Sequence, residues 1–163
     1  CKRWGLFWQF HWWSWRTRRN WWSWRTIIIN KLILLRNSII KKKDFRKQIG
    51  SSGEIRAREF FIGKGYEILA SNFRTRTGEI DLIAFKQNVI VFIEVKTLLA
   101  GNPETLAKEL NLQKQKRILE TAKYFLSINR QYSNSFVRFD VVVIDMPGYP
   151  DVYHIENAFS EFL

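Results

Sequence analysis

Two short runs constrain the fold more than anything else in the chain. Val89-Ile90-Val91-Phe92-Ile93 and Val141-Val142-Val143-Ile144 present no polar residue to either side. A strand with one wet face alternates polar and apolar residues, so strands without alternation need cover on both faces. The two runs are short and rich in β-branched residues, and they read as interior strands of a sheet packed between helices. Glu79–Phe85 and Val89–Thr97 are strands separated by the turn-forming Lys86-Gln87-Asn88, as in a hairpin. Tyr66–Phe73 reads as an earlier strand and Val152–Ile155 as a final one. Ser51-Ser52-Gly53-Glu54 has the form of a capping box. It predicts a helix opening at Ser51, with Ala57, Phe60 and Phe61 on its apolar side and an end at Gly63 and Gly65. A second helix is expected from about Asn111 to Ile128, or from Asn102-Pro103 if that start signal is used. The order helix, three strands, helix, two strands predicts an α/β domain whose mixed central sheet of about five strands carries helices on its faces.

Four polar residues interrupt this apolar pattern. Alternation places Glu79 and Asp81 on one face of their strand, and Glu94 and Lys96 on one face of theirs. Burying a charge costs several kcal/mol unless it is paired or binds a metal. If Phe85 pairs with Ile90 across the hairpin, the same register sets Asp81 opposite Glu94 and Glu79 opposite Lys96, with Cβ atoms about 4.5–5.5 Å apart. Two carboxylates at that separation repel each other unless a cation lies between them. The only cysteine is Cys1 and there is no Cys/His cluster, so the ligands would be oxygens and the ion a hard one, Mg²⁺ or Mn²⁺. Such an ion keeps waters, one of which can attack a phosphate, while Lys96 orients that water or stabilises developing negative charge. The plainer alternative is a Glu79–Lys96 ion pair with Asp81 and Glu94 exposed at an edge. A bulge at the hairpin tip would separate Asp81 and Glu94 onto opposite faces.

An acid, then Asp on one strand, then Glu-x-Lys on the next resembles the PD-(D/E)xK nuclease superfamily. Gly78-Glu79-Ile80-Asp81-Leu82-Ile83 and Phe92-Ile93-Glu94-Val95-Lys96 resemble more closely the YraN family of uncharacterised bacterial proteins. Gly53-Glu54, Gly65-Tyr66, Asn72-Phe73-Arg74, Lys114-Gln115, Arg138-Phe139-Asp140 and Asn157-Ala158-Phe159 extend the likeness over residues 49 to 159. The resemblance implies a restriction-endonuclease-like fold related to Holliday-junction resolvases. It implies Asp81 and Glu94 as metal ligands with the Val95 carbonyl as a further one, Lys96 as the catalytic lysine and Glu54 as a helix-borne acid near the site. It departs from the superfamily at Ile80, where proline usually precedes the aspartate. The function expected is metal-dependent hydrolysis of phosphodiester bonds, with structured or branched DNA as the substrate class and DNA favoured over RNA. A non-catalytic nucleic-acid-binding module of the same fold is the alternative. Arg74 and Arg76, in the loop leading into the acidic strand, are candidates for phosphate contact, and Lys114 matches a position from which the site is reachable. Arg138 with Asp140, and His154, read as structural groups.

The charge separates this domain from what precedes it. Of the 27 Lys and Arg, 13 lie in residues 1–49 against one acid, Asp44, whereas residues 50–163 carry 14 basic and 14 acidic residues. All eight Trp lie between Trp4 and Trp24, where Trp12-Trp13-Ser14-Trp15-Arg16-Thr17 recurs as Trp21-Trp22-Ser23-Trp24-Arg25-Thr26. Such a segment suits a membrane interface or stacking on nucleic acid. In a stretch that opens without Met, a nine-residue repeat is also what a short DNA repeat gives when read through in frame. The expectation is therefore that residues 1–43 stand outside the fold and residues 44–163 form the nuclease-like domain. That domain is expected in the cytoplasm and away from membranes, with a homodimer among its oligomeric options.

Overall fold

The computed structural model describes residues 14–160, without the side chains of residues 14–30, 33, 37, 42 and 46. The side chains of the Trp-rich repeat, on which its membrane and nucleic-acid readings rest, lie outside what is described. Two compact units divide between Arg46 and Lys47. In the first, Leu32, Leu34, Leu35, Ile39, Ile40 and Phe45 are all exposed side chains of a helix.

The second unit is a five-stranded mixed sheet with helices on both faces, the arrangement of a restriction-endonuclease-like fold. Its strands β1 (Glu67–Arg74), β2 (Glu79–Lys86), β3 (Val89–Thr97), β4 (Phe136–Ile144) and β5 (Val152–Phe159) lie side by side in chain order. Only β3 and β4 run parallel. A parallel neighbour needs a crossover, and α2 (Pro103–Glu109) and α3 (Leu112–Ile128) supply it. Asn102 caps α2, accepting from the Thr105 N–H at 2.9 Å, and Asn111 caps α3 through the Lys114 N–H at 3.0 Å.

Helix α1 spans Ser14–Gly63. Ser51 therefore sits inside a helix and does not cap one, contrary to the capping-box expectation. No proline or left-handed residue precedes it to stop the helix, and a single Gly50 costs only about 1 kcal/mol against alanine. The far end is as expected. Gly65 takes φ +79°, and the Tyr66 N–H returns to the Phe61 carbonyl at 3.0 Å, closing the helix with the left-handed residue that glycine tolerates best.

One face of the sheet packs Leu82, Ala84, Val91, Ile93, Val142 and Ile144 against Ala57 and Phe61 of α1. The other packs Ile83, Ile90, Phe92, Val141 and Val143 against Ile118, Ala122 and Phe125 of α3. β3 and β4 are thus covered on both sides, as their lack of alternation demands. Gly53 lets α1 approach β3. A Cβ there would collide with Thr97 Oγ1, itself buried and without a hydrogen-bond partner. Gly53→Ala is expected to cost about 1–3 kcal/mol in urea unfolding, and a second change, Thr97→Ala, is expected to recover most of it.

The hairpin keeps the expected register. Phe85 faces Ile90, and the pairing continues to Leu82 with Ile93. Its tip is a two-residue turn in which Gln87 (φ 48°) and Asn88 (φ 64°) are both left-handed, the twist that suits adjoining antiparallel strands.

Candidate metal centre

At Leu82 the β2–β3 ladder stops, and a side chain replaces the next rung. Asp81 Oδ2 accepts the Val95 N–H at 2.7 Å. Glu94 lies beside it on the face covered by α3 and is 2% exposed. Its Oε1 receives two ammonium groups, Lys96 Nζ at 2.9 Å and Lys114 Nζ, from the first turn of α3, at 3.0 Å. Its Oε2 is buried and has no partner. Two carboxylates and two lysines from three elements therefore converge in one poorly solvated place.

The electrostatics follow from that crowding. Burial and then repulsion from Glu94 push Asp81 up to about 7, against the opposing pull of the Val95 N–H, Lys114 and Lys96. Burial disfavours the Lys96 cation, but the attraction and hydrogen bond of Glu94, helped by Asp81 and Glu109, more than offset it and leave its pKa raised. Lys96 is thus held as a cation, suited to stabilising negative charge and unsuited to taking up a proton.

Glu79 stays outside this cluster. Beyond Leu82, β2 runs along β1 only, and Glu79 pairs with its β1 neighbour Arg74 at 3.2 Å, both side chains well exposed. The cross-strand Glu79–Lys96 pair is absent because Lys96 turns to Glu94. Glu54 comes from α1, whose packing is on the opposite face, and its Oε2 accepts from Asn72 Nδ2 at 2.8 Å. It is not among the groups that act on Asp81. Asn72, left-handed at φ 53°, sits in β1 between the Ser71–Leu82 and Phe73–Ile80 pairs, beside Asp81. Sequence reasoning gave Asn72 no role. An asparagine inside a strand, a position it disfavours, was the signal available.

Arg74 and Arg76 line a hollow of about 300 Å³ formed by residues 74–79 with Lys114 and Arg117. Thr75 fixes its loop, with Oγ1 accepting from the N–H groups of Thr77 and Gly78 at 3.3 and 3.2 Å. Gly78 presses on α3, where a Cβ would lie 3.2 Å from the Arg117 carbonyl oxygen.

The donor set fits a hard divalent cation. The unpartnered Oε2 of Glu94 and the carboxylate of Asp81 are oxygen donors on one face, with the Val95 carbonyl adjoining in sequence. No three His, Cys, Asp or Glu side chains group together among the described residues. A pair of carboxylates suffices for Mg²⁺, which completes its octahedron with waters and phosphate oxygens.

On the opposite face Asp140 is fully buried and fully satisfied. It accepts from Arg138 Nε (2.9 Å), from an Arg138 terminal nitrogen (2.8 Å), from the Asn157 N–H (2.9 Å) and from His154 Nε2 (2.8 Å). These donors hold its carboxyl below the ordinary range against the opposing effect of burial. Arg138 and Asp140 form the expected pair, and His154 joins them.

Among the described residues no helix is long and apolar enough to cross a membrane. The uncharacterised protein family UPF0102 matches residues 53–144, which include the whole carboxylate–lysine cluster. A UPF0102 protein of Treponema denticola is 42% identical, the match covering 69% of this chain and 95% of the relative. One of Treponema pallidum is 40% identical over 72% of this chain and 96% of the relative. One of Clostridium novyi is 40% identical over 71% and 98%. The matched region and the extent of these alignments place the chain in the YraN, or UPF0102, family.

Proposed function

We propose that this protein is a divalent-cation-dependent nuclease that hydrolyses phosphodiester bonds, with DNA, structured or branched, as its substrate. The observation that carries the proposal is the pairing of a buried Glu94 with a half-buried Asp81 that it repels, with an unpartnered Oε2 on Glu94 and a cationic Lys96 on its Oε1. Charged groups sequestered in this way concentrate at functional sites. Asp81, Glu94 and the Val95 carbonyl would hold Mg²⁺ or Mn²⁺, which supplies Lewis acidity and lowers the pKa of a bound water. Lys96 stabilises the charge that develops on the attacked phosphate. The Val95 N–H fixes the Asp81 carboxylate and so sets the direction of its free lone pairs. Arg74, Arg76 and Lys114 position the nucleic-acid backbone in the adjoining hollow. Glu79 and Glu54 flank this machinery, and the effects of replacing them are expected to be smaller.

The test is cleavage of duplex, single-stranded, flapped and four-way-junction DNA by the full chain with Mn²⁺. Cleavage of at least one substrate is expected, with Lys96→Met reducing the rate about 10²–10³-fold and Asp81→Asn abolishing it. Mn²⁺ binding without cleavage of any substrate would leave the non-catalytic binding module as the better account.

A further inference from the structure

Lys114 is placed for two incompatible tasks. Its ammonium lies 3.0 Å from Glu94 Oε1, which Lys96 already occupies, and its side chain also lines the hollow of Arg74, Arg76 and Arg117. We infer that Lys114 is a displaceable counter-ion, which neutralises Glu94 when no cation is bound and turns to a substrate phosphate when one binds. The inference rests on the cation-binding reading above.

Formal charge makes the case for displacement. Asp81 and Glu94 balance Lys96 and Lys114, so a divalent cation added among them would leave two uncompensated positive charges in a place where Glu94 is almost dry. Excess buried charge is costly. One lysine can relieve it by leaving, and the two are not equivalent. Lys96 is fixed two residues from Glu94 on the same strand face and is absent from the lining of the hollow. Lys114 stands at the start of α3 with the hollow beside it, and Arg117 follows three residues on, a spacing that brings helix side chains together. The tight contact of Gly78 with Arg117 brings the Arg74–Arg76 loop to the same spot. A released Lys114 thus enters a basic hollow whose one acid, Glu79, is paired with Arg74. Cation and phosphate binding are then coupled through one side chain, and by linkage the coupling is reciprocal.

The experiment measures both equilibria with the full chain, using Mn²⁺ and a phosphorothioate DNA duplex that resists cleavage. Without Mn²⁺, Lys114→Gln should lose much less duplex affinity than it loses with Mn²⁺, because Lys114 is then engaged on Glu94. With saturating Mn²⁺, wild type should bind about tenfold more tightly than Lys114→Gln. In calorimetry with Mn²⁺ alone, Lys114→Gln should bind the ion more tightly than wild type, since its competitor is gone. Lys114→Arg, whose forked guanidinium grips a carboxylate more firmly, should bind it more weakly, and this variant carries the test if the glutamine variant does not fold. An equal loss of duplex affinity with and without Mn²⁺ would make Lys114 a fixed phosphate contact. Unchanged Mn²⁺ affinity in both variants would also overturn displacement. If wild type binds no Mn²⁺, the cation-binding reading itself fails and the inference falls with it.

Discussion

Asp81→Asn is expected to make the cation-free protein more stable while removing its ability to bind Mn²⁺. The ionised Asp81 carboxylate sits in a poorly solvated place facing Glu94, and its pKa is pushed up to about 7. In the unfolded chain the same group titrates near 4. Between those values the folded protein binds more protons than the unfolded one, so stability falls as pH rises. The stability held by protonated Asp81 is fully present below about pH 4 and has been lost once pH passes about 7. Asparagine mimics the protonated form at every pH and can still accept the Val95 N–H. Asp81→Asn should therefore match wild type near pH 4 and exceed it at pH 8 by on the order of 2–4 kcal/mol, read from urea unfolding in EDTA. Wild-type Mn²⁺ affinity should climb as pH rises through 7, because binding must expel the Asp81 proton, and the asparagine variant should show no such rise. Equal stability of the two proteins at pH 8 would mean that Asp81 carries no repulsion to relieve.

The second large effect lies on the other face of the sheet and should leave the site untouched. Asp140 is fully buried and holds Arg138 and His154 together across β4 and β5. Removing one partner of a buried ionic network leaves charge without compensation, at about 3–5 kcal/mol. Asp140→Ala should lose that much stability in urea, yet bind Mn²⁺ with unchanged affinity wherever it remains folded. A proportionate loss of Mn²⁺ affinity in the folded variant would show that the two faces are not independent.

These two clusters differ in how far the sequence revealed them. The hairpin register was legible as far as Leu82 and Ile93, which brings Asp81 and Glu94, the next residue on each strand, near each other. Once Phe85 faces Ile90, period-two alternation leaves little freedom, and Leu82 duly faces Ile93. The failure at Glu79 has a local cause. The ladder ends one rung before Asp81, so a register extended to Lys96 had no strand pair left to carry it. The bond between His154 and Asp140 was not legible, since it depends on a β4–β5 pairing with a shift between Phe139 and Val141 that no turn signal announces. Helix α1 shows the opposite limit. A capping box is a local pattern of side chains, and it caps only where the backbone before it has left the helix, which at Ser51 it has not.

The central claim is that Asp81 and Glu94 share one cation, and anomalous scattering from a crystal of the full chain grown with Mn²⁺ tests it most directly. The account predicts a single peak within about 2.1 Å of Asp81, Glu94 and the Val95 carbonyl oxygen, with Lys96 retained beside it and Lys114 withdrawn from Glu94. A crystal saturated with Mn²⁺ that shows no peak there, with both lysines still seated on Glu94 Oε1, would contradict it.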